Sequence, residues 1–283
     1  MFELVNLNDV PKGGRVFNSR FVDEIKNPGT DKAFEKSRLV VQAYNDPEKD
    51  LVLTQSPTIQ RASQRLILCI TAMLQTDDIR LYLRDISQAY VQSATKLNRD
   101  FYIRAPFELA TALSVSKGTI LKVVRPLYGI PESGNHWFKT YHDHHIKELH
   151  MHQSTYDPCL LHCNDHDAGT FGIVGLQTDD TLFLANTAFA ELEQEKVEKA
   201  KFLTKLREHL TTDHSIKFNG GVIRQTGHTI TLTQERQCKN LTLVNIKESI
   251  TTTSSRGTIR TALTPKDQYV AQRARGAYIA SVC

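Results

Sequence analysis

The feature that most constrains the fold is a pair of adjacent carboxylates between two apolar runs. Residues 171–176 and 181–185 are almost wholly apolar, and Gln177-Thr178-Asp179-Asp180 lies between them. Short apolar runs around a polar tip predict a β-hairpin with the aspartates at its turn. Aspartate is common in turns, so the pair has a purely structural interpretation. The functional alternative is a divalent-metal site, because carboxylates held close together repel unless a cation neutralises them.

A third carboxylate, Asp85, follows a second apolar strand. Residues 81–86 predict this strand, and we expect a turn into a helix after it. If the strand lies beside the hairpin, Asp85, Asp179 and Asp180 converge. Three acidic oxygen ligands suit Mg²⁺, and two such ions can stabilise the attacking and leaving oxygens of phosphoryl transfer.

An internal control for this interpretation comes from a repeated tetrapeptide. Gln75-Thr76-Asp77-Asp78 has the same four residue types as 177–180. It follows a helical pattern and has no apolar strand before it. It therefore indicates only a turn between a helix and a strand, outside the carboxylate cluster.

The remaining patterns predict a mixture of helices and strands. The expected elements are a strand at 36–41, a core-packed helix at 62–74, a strand at 119–128 broken by Pro126, a helix from about Asn135, an amphipathic helix at 189–210 and a hairpin at 217–234, followed by a linker at 251–255. Strands and helices interleave without a regular β-α-β rhythm. The sequence therefore predicts an α+β fold.

Composition limits the setting of the chain. Its 283 residues allow one large domain or two ordinary ones. No apolar run reaches the about 18 residues that a membrane helix needs, so no membrane partner is expected. The net charge of +4 tolerates a polyanionic partner without requiring one. The 5 cysteines are few and odd in number, as in an intracellular protein with reduced thiols.

Histidine and cysteine residues offer a competing metal site. The candidate zinc ligands are Cys159, His162, Cys163 and His166. We disfavour zinc because a strand through this segment would place its ligands on alternate faces. The nearby helical histidines are expected to lie on the helix surface: His142, His144 and His145.

Motifs along most of the chain resemble the reverse transcriptase of copia-type LTR retrotransposons. Their residues are most similar to those of the fungal branch. They are Lys36-Ser37-Arg38-Leu39-Val40 for the family's K-A-R-L-V, Ser56-Pro57-Thr58 for S-P-T/V, Arg84-Asp85-Ile86-Ser87-Gln88-Ala89-Tyr90 for L-D-V-K-T-A-F, Leu127-Tyr128-Gly129-Ile130-Pro131-Glu132 with Trp137 for L-Y-G-L-K-Q-A-P-R-A-W, and Asp157-Pro158-Cys159-Leu160 for D-P-C/S-L. The aspartate pair matches the family's Y-V-D-D. These motifs follow one another in the same order as in the family, and this shared order makes the resemblance specific.

The resemblance implies a right-hand polymerase with fingers and an antiparallel-sheet palm over 1–240. Residues 241–283 would begin the thumb or connection and stop before any ribonuclease H domain, as in a fragment of a polyprotein. The implied activity is RNA-directed DNA polymerisation on a primed RNA or DNA template with deoxynucleoside triphosphates. Asp85, Asp179 and Asp180 would hold two Mg²⁺ ions, and other parts of the polyprotein would be partners.

The resemblance also assigns substrate contacts residue by residue. Lys26 and Arg38 would bind the triphosphate, although Lys26 has an alternative as a solvated surface lysine. Tyr90 would lie under the sugar and exclude a 2′-hydroxyl, and its alternative is a core aromatic. Glu132 occupies the place of a glutamine near the incoming base. The segment Phe218-Asn219-Gly220 would support the primer strand.

Several residues depart from the family pattern. Gln177-Thr178 replaces the Y-V before the aspartates, Glu132 introduces a carboxylate that could repel the triphosphate, and 134–136 lacks a basic residue. The alternative function is therefore a degenerate element remnant that binds nucleic acid without polymerising. The helix at 189–210 is expected to present a solvated charged face, with three lysines as candidates for nucleic-acid contact: Lys196, Lys199 and Lys205.

Overall fold

The computed structural model describes residues 1–31, 33–74, 76, 78–165, 169–245 and 264–282. None of the helices in these ranges is both long and apolar enough to cross a membrane. The linker expected at 251–255 lies outside the described residues.

The strands are β1 (Phe2–Val5), β2 (Val16–Lys26), β3 (Phe34–Val41), β4 (Ile79–Asp85), β5 (Phe101–Arg104), β6 (Ile120–Val123), β7 (His152–Gln153), β8 (Leu160–Asp165), β9 (Thr170–Gln177), β10 (Asp180–Asn186), β11 (Glu208–His209), β12 (Ile216–Phe218), β13 (Gly221–Thr226) and β14 (Thr229–Thr233). The helices are α1 (Arg61–Leu74), α2 (Phe107–Ala112), α3 (Ser133–Glu148), α4 (Thr187–Lys199), α5 (Glu235–Lys239) and α6 (Pro265–Val282).

The central sheet has the strand order β11-β4-β10-β9-β8-β7, and each neighbouring pair is antiparallel. Strands β9 and β10 form the predicted hairpin, with Gln177 paired to Asp180 across its end. The segment before α1 approaches β9 closely: a Cβ atom at Gly175 would lie 2.3 Å from Cδ1 of Ile59. Glycine at 175 therefore permits this contact between α1 and the sheet.

A second sheet has the order β1-β6-β5-β2-β3, in which only the β2–β5 pair is parallel. The long hairpin β2–β3 extends from this sheet. Tyr128 is connected to this hairpin by an isolated β-bridge to Val40. Gly129 makes that bridge possible, because its φ is +89° and a Cβ there would lie 2.0 Å from the carbonyl oxygen of Val41.

The third sheet, β12-β13-β14, differs from the single hairpin expected at 217–234. Asn219 and Gly220 have φ angles of 46° and 78° and turn the chain between β12 and β13. A second turn at Gly227, with φ of 57°, leads into β14. The predicted hairpin is present as β13–β14, and the additional strand β12 was missed because Asn-Gly is itself a strong turn signal inside the apolar segment.

The described residues form two hydrophobic clusters. One lies on the central sheet and includes Ile67, Trp137 and Phe183. The other lies on the second sheet and includes Phe101 and Leu121. Antiparallel sheets covered by helices, without repeated β-α-β units, confirm the α+β class.

Helix α1 was predicted correctly in extent and packs against the core. It buries Gln64, Ile67, Leu68 and Thr71, which follow the i, i+3, i+4, i+7 spacing of one helical face, whereas the apolar Met73 is 81% exposed. Packing against the sheets, rather than side-chain hydrophobicity alone, decided which face turned inward.

The helix expected at 189–210 is wrong in its second half. Helix α4 ends at Lys199, and Lys201 has a φ of 58°. The chain then runs beside the end of β4: the Ser87 amide donates to the Leu203 carbonyl at 2.7 Å. An unpaired strand edge carries free backbone donors and acceptors, and these bind the segment that periodicity assigned to a helix.

The expected surface position of the α3 histidines is wrong for two of the three. His144 and His145 are 7% and 1% exposed and pack with Tyr141 and Phe202. Phe202, from a distant segment, packs against this face of α3, which the sequence of the helix by itself could not indicate.

The turn after Asp85 also differs, because 89–92 form one 3-10 turn rather than an α-helix.

Candidate active site

The structure brings the three predicted carboxylates together at one end of the central sheet. Asp180 is the register partner of Asp85 in the antiparallel β10–β4 pair. Asp179 occupies the turn beside them, and its carbonyl accepts a hydrogen bond from the Ile86 amide at 2.8 Å. Asp78 lies at the opposite end of β4, where its carboxylate accepts from the Thr187 amide, as expected for a structural turn. Asp77 lies outside the described residues.

Burial, together with the nearby negative charges, raises the pKa values of Asp179 and Asp180. Burial is the main cause that raises the pKa of Asp180 to about 7, followed by the nearby charges of Asp179 and Asp85. Loss of hydration around the carboxyl group also raises the pKa of Asp179, with a smaller contribution from Asp85. The residue Asp179 as a whole remains exposed to solvent. A bound cation would stabilise the ionised form of both carboxylates, which these surroundings disfavour.

Two lysines face this negative charge. Lys205 forms an ion pair with the Asp85 carboxylate, and its backbone amide donates to the Asp85 carbonyl at 3.0 Å. The pKa of Lys36 is lowered chiefly by burial and then by the positive charges of Arg38, Lys205 and Lys26, while Asp85 acts in the opposite direction. Lys36 was not assigned a role from the sequence. The period-two spacing of Lys36 and Arg38 on β3, which puts both on one face, was the available signal.

An aromatic pair adjoins the carboxylates. The rings of Tyr90 and Tyr128 lie 5.0 Å apart at 44°, and the guanidinium of Arg38 lies 5.8 Å from the Tyr128 ring centroid. Burial raises the pKa of Tyr90, and the charge of Asp179 raises it further. Tyr90 is half-buried and packs against the core, so the packing and sugar-contact interpretations both fit its position. Tyr128 is a neighbour that the motif analysis did not single out.

The two predicted triphosphate ligands lie on the β2–β3 hairpin. Lys26 is 2.7 Å from the Glu24 carboxylate, and Arg38 is 3.4 Å from the same group. Glu24 is the register partner of Lys36, and its carboxylate is shared by two basic side chains, Lys26 and Arg38. The pKa of Glu24 is lowered, mainly by its hydrogen bond from Lys26. These pairs are exposed, so they are weak and can exchange for a phosphate.

Glu132 lies in a buried ion-pair cluster rather than at the carboxylates. Its two oxygens accept from Arg99 at 2.9 Å each, and Glu132 is 2% exposed. Arg99 also pairs with Asp46 at 2.6 Å. The negative charge expected to repel a triphosphate is therefore compensated by Arg99 and withdrawn from solvent.

The segment assigned to the primer strand lines a cleft of about 930 Å³ that also contains Asp179 and Asp180. Asn219 and Gly220 contribute their turn to this cleft, whereas Phe218 is 1% exposed and serves the core. Four basic side chains that the sequence analysis did not single out also line this cleft: Lys217, Arg224, Arg236 and Lys239. One of them, Arg224, is paired at 2.6 Å with Glu235, which lines the cleft as well.

The competing zinc cluster does not assemble in the described residues. Cys163 is buried, and its neighbour His162 is exposed on the other face of β8. His166 lies outside the described ranges. Across the part of the chain that the structure describes, no three His, Cys, Asp or Glu side chains are arranged to hold a metal ion as they stand. Of the three aspartates, Asp85 forms an ion pair with Lys205.

The fold and the site together define a class of protein. An antiparallel sheet presents three carboxylates beside a cleft with basic walls, with an aromatic pair and a basic hairpin next to them. Acidic oxygens suit divalent cations, and the basic side chains suit phosphate groups. The class is that of α+β proteins with clustered carboxylates beside a cleft that basic side chains line.

The chain belongs to the reverse transcriptase family. The sequence profile described as "Reverse transcriptase (RNA-dependent DNA polymerase)" matches residues 2–255. Two curated relatives, the Transposon Ty1-ER2 and Ty1-MR2 Gag-Pol polyproteins of Saccharomyces cerevisiae, are each 29% identical over 139 residues. Each alignment covers 48% of this chain and 7% of the relative. The family assignment made from the motifs is confirmed.

A solved structure is also similar to the chain. It is described as the foamy viral protease-reverse transcriptase dRH in complex with double-stranded DNA. The sequence identity is 16% and the TM-score is 0.46, with 80% of this chain and 33% of that chain covered.

Proposed function

We propose that the chain is an RNA-directed DNA polymerase that adds deoxynucleotides to the 3′-hydroxyl of a primer. The observation that carries the proposal is the convergence of Asp85, Asp179 and Asp180 at adjoining ends of β4 and β10. Family membership and the basic cleft beside these residues support it. As in the relatives that it matches, we propose that the chain is part of a retrotransposon polyprotein.

We infer that the three aspartates hold two Mg²⁺ ions. Their donor set consists of carboxylate oxygens, and burial, followed by the charges of Asp179 and Asp85, raises the pKa of Asp180. Lys205 must release Asp85 before an ion takes its place. When bound, such ions stabilise charge on the attacking and leaving oxygens of phosphoryl transfer.

The other side chains would orient the substrates. Arg38, with Lys26 and Lys36, would bind the triphosphate, since Lys26 and Arg38 pair only weakly with the exposed Glu24 and Lys36 lies on the same face of β3 as Arg38. Tyr90 would contact the deoxyribose. The turn at Asn219-Gly220 would hold the primer strand in the cleft. We further propose fingers and palm over 1–240 and the start of the thumb or connection over 241–283.

Primer extension tests this function directly. Oligo(dT) on a poly(rA) template, with Mg²⁺ and thymidine triphosphate, should be extended by the wild-type chain. Asp179→Asn should slow extension by at least about 100-fold, because one charge of the site is lost. Asp78→Asn makes the same chemical change at the far end of β4 and should leave the rate within about twofold.

Two results would contradict the proposal. Equal extension by Asp179→Asn and wild type would remove the aspartates from the reaction. Binding of the primer–template without any extension by the wild type would favour the remnant that binds nucleic acid without polymerising.

A further inference from the structure

The turn between β9 and β10 has an unfavourable backbone conformation. Gln177 pairs with Asp180, which leaves Thr178 and Asp179 as a two-residue loop. Thr178 has a φ of 54°. A β-branched residue is uncommon in this left-handed region, because its side chain crowds the backbone. The turn that carries the aspartates therefore needs contacts from outside the hairpin to keep its shape.

Helix α3 supplies one such contact before the aspartates. The indole Nε1–H of Trp137 donates to the carbonyl oxygen of Thr178 at 2.7 Å. Trp137 is 1% exposed, so no water can replace this donor without opening the core. The strained residue is thus held through its own carbonyl group.

The same helix supplies a second contact after the aspartates. The hydroxyl of Thr181 donates to the hydroxyl oxygen of Tyr141 at 3.1 Å, and both residues are 2% exposed. Tyr141 follows Trp137 by one helical turn, and their rings stack with centroids 5.1 Å apart at 16°. Phe202 packs edge-on against both rings. One rigid aromatic pair therefore contacts the backbone or side chain on either side of Asp179-Asp180.

We propose that Trp137 and Tyr141 are positioning residues for the metal-binding carboxylates. They would hold the turn so that Asp179 and Asp180 face Asp85 before any cation arrives. Without these two hydrogen bonds the turn relaxes, and a bound ion must reorder it. This inference rests on the proposed two-metal function and adds to it the element that preorganises the site.

Conservative variants separate positioning from packing. Trp137→Phe removes the N–H and keeps a ring, and Tyr141→Phe removes only the hydroxyl. Tyr82→Phe is the matched hydroxyl deletion, in β4 opposite Phe183 and away from the turn. Phe189→Leu is the packing control, because Phe189 lies against Gly172 at the other end of the hairpin. Mn²⁺ binding by electron paramagnetic resonance, the Mg²⁺ dependence of extension and thermal unfolding in EDTA are measured for each.

The expected result is a selective loss of metal affinity. Mn²⁺ affinity should fall about tenfold in Trp137→Phe and about threefold in Tyr141→Phe, the usual effect of losing a buried hydrogen bond. The Mg²⁺ concentration for half-maximal extension should rise by the same factors, while KM for primer–template stays constant. Tyr82→Phe and Phe189→Leu should bind Mn²⁺ like the wild type, even where Phe189→Leu melts earlier.

Each contrary outcome is separable. If the wild type binds Mn²⁺ and extends primers but both α3 variants match it, the positioning role is overturned and the polymerase function stands. If Phe189→Leu loses as much Mn²⁺ affinity as Trp137→Phe, the effect is general destabilisation and the inference fails. If the wild type binds no Mn²⁺, both the inference and the two-metal function fail.

Discussion

At the scale of single residues, Lys205 determines the state of Asp85. Its ammonium group pairs with the carboxylate that would otherwise accept a cation. The Lys205 side chain is 61% exposed, and exposed ion pairs contribute only about 0–1 kcal/mol. The pair is therefore weak enough to yield to a divalent ion.

Removing this lysine should strengthen metal binding. Lys205→Gln is expected to raise Mn²⁺ affinity about two- to fivefold, because the ion no longer competes with an ammonium group. Lys199→Gln, at the end of α4, changes the net charge equally and controls for long-range electrostatics. Titration of Mn²⁺ measures both variants. Equal affinities in the two variants would show that Lys205 does not compete for the site.

Tyr90 is expected to act as a steric gate for the sugar. Tyr90→Ala should raise the kcat/KM for ribonucleotides relative to deoxynucleotides by at least about tenfold, and Tyr90→Phe should keep the wild-type ratio. Deoxynucleotide extension should fall less in Tyr90→Ala than in Asp179→Asn. Unchanged sugar selectivity in Tyr90→Ala, or simple unfolding of that variant, would make Tyr90 a packing residue, as its contact with Tyr128 also permits.

His145 should make the protein sensitive to acid. Its Nδ1 is 2.8 Å from the Tyr141 carbonyl, and burial lowers its pKa to about 3. In the unfolded chain a histidine has a pKa of about 6.5, so between these values the unfolded state binds the additional proton. Stability from this group is complete above pH ~6.5 and declines as the pH falls toward 3, by up to about 1.4 kcal/mol per pH unit.

Urea unfolding between about pH 7 and pH 4 measures this effect. His145→Gln should show a shallower loss of unfolding free energy with falling pH than the wild type. His228→Gln, in an exposed turn, should keep the wild-type slope. The same slope in His145→Gln and wild type would be inconsistent with a buried neutral histidine.

At the scale of elements, a buried ion pair connects α4 to β4. Arg84 donates to both oxygens of Glu193 at 3.0 and 2.6 Å, and the two side chains are 1% and 4% exposed. Arg84 also donates to the Lys205 carbonyl at 3.3 Å. The family motif has leucine at the position of Arg84, so an apolar side chain is compatible with this site in principle.

Replacing one partner should destabilise the protein far more than replacing both. Arg84→Met alone should lower the free energy of unfolding by about 3–5 kcal/mol, because Glu193 loses its principal buried partner. The double variant Arg84→Met, Glu193→Leu should recover most of that loss, since two apolar side chains need no partner. Urea unfolding compares them. A double variant as unstable as Arg84→Met would contradict this account.

At the scale of the whole molecule, basic side chains gather in the cleft beside the aspartates. The net charge is +4, and this cleft alone is lined by four basic side chains together with three acidic ones, Asp179, Asp180 and Glu235. Lys217 and Lys239 are both exposed there. Such a distribution favours a polyanion that follows the cleft over nonspecific attraction to the whole surface.

Affinity for primer–template should therefore fall between about 50 and 200 mM salt. The double variant Lys217→Ala, Lys239→Ala should weaken binding and reduce the slope of log K against log salt by roughly 1.4–1.8, or 0.7–0.9 for each lost phosphate contact. Lys147→Ala, on the exposed face of α3, should leave the slope unchanged. Salt-independent binding by the wild type would contradict a phosphate-binding cleft.

The sequence by itself determined the features that depend on local pattern. Alternation and turn chemistry predicted the β9–β10 hairpin and its aspartates, and a second apolar strand predicted the position of Asp85. The same four residue types at 75–78 were correctly separated from the site at Asp78, because no apolar strand precedes them. Strands and turns are specified by neighbouring residues, so these predictions needed no knowledge of distant segments.

Only the tertiary structure decided which distant groups meet. It ended α4 at Lys199 because the edge of β4 binds the following segment, and it placed Lys205 on Asp85. It paired Glu132 with Arg99 and brought Trp137 to the turn at Thr178. These contacts join residues about 30 to 120 positions apart, and their energies depend on burial and exact approach. Periodicity carries no information on either, because it records only which face of an element is apolar.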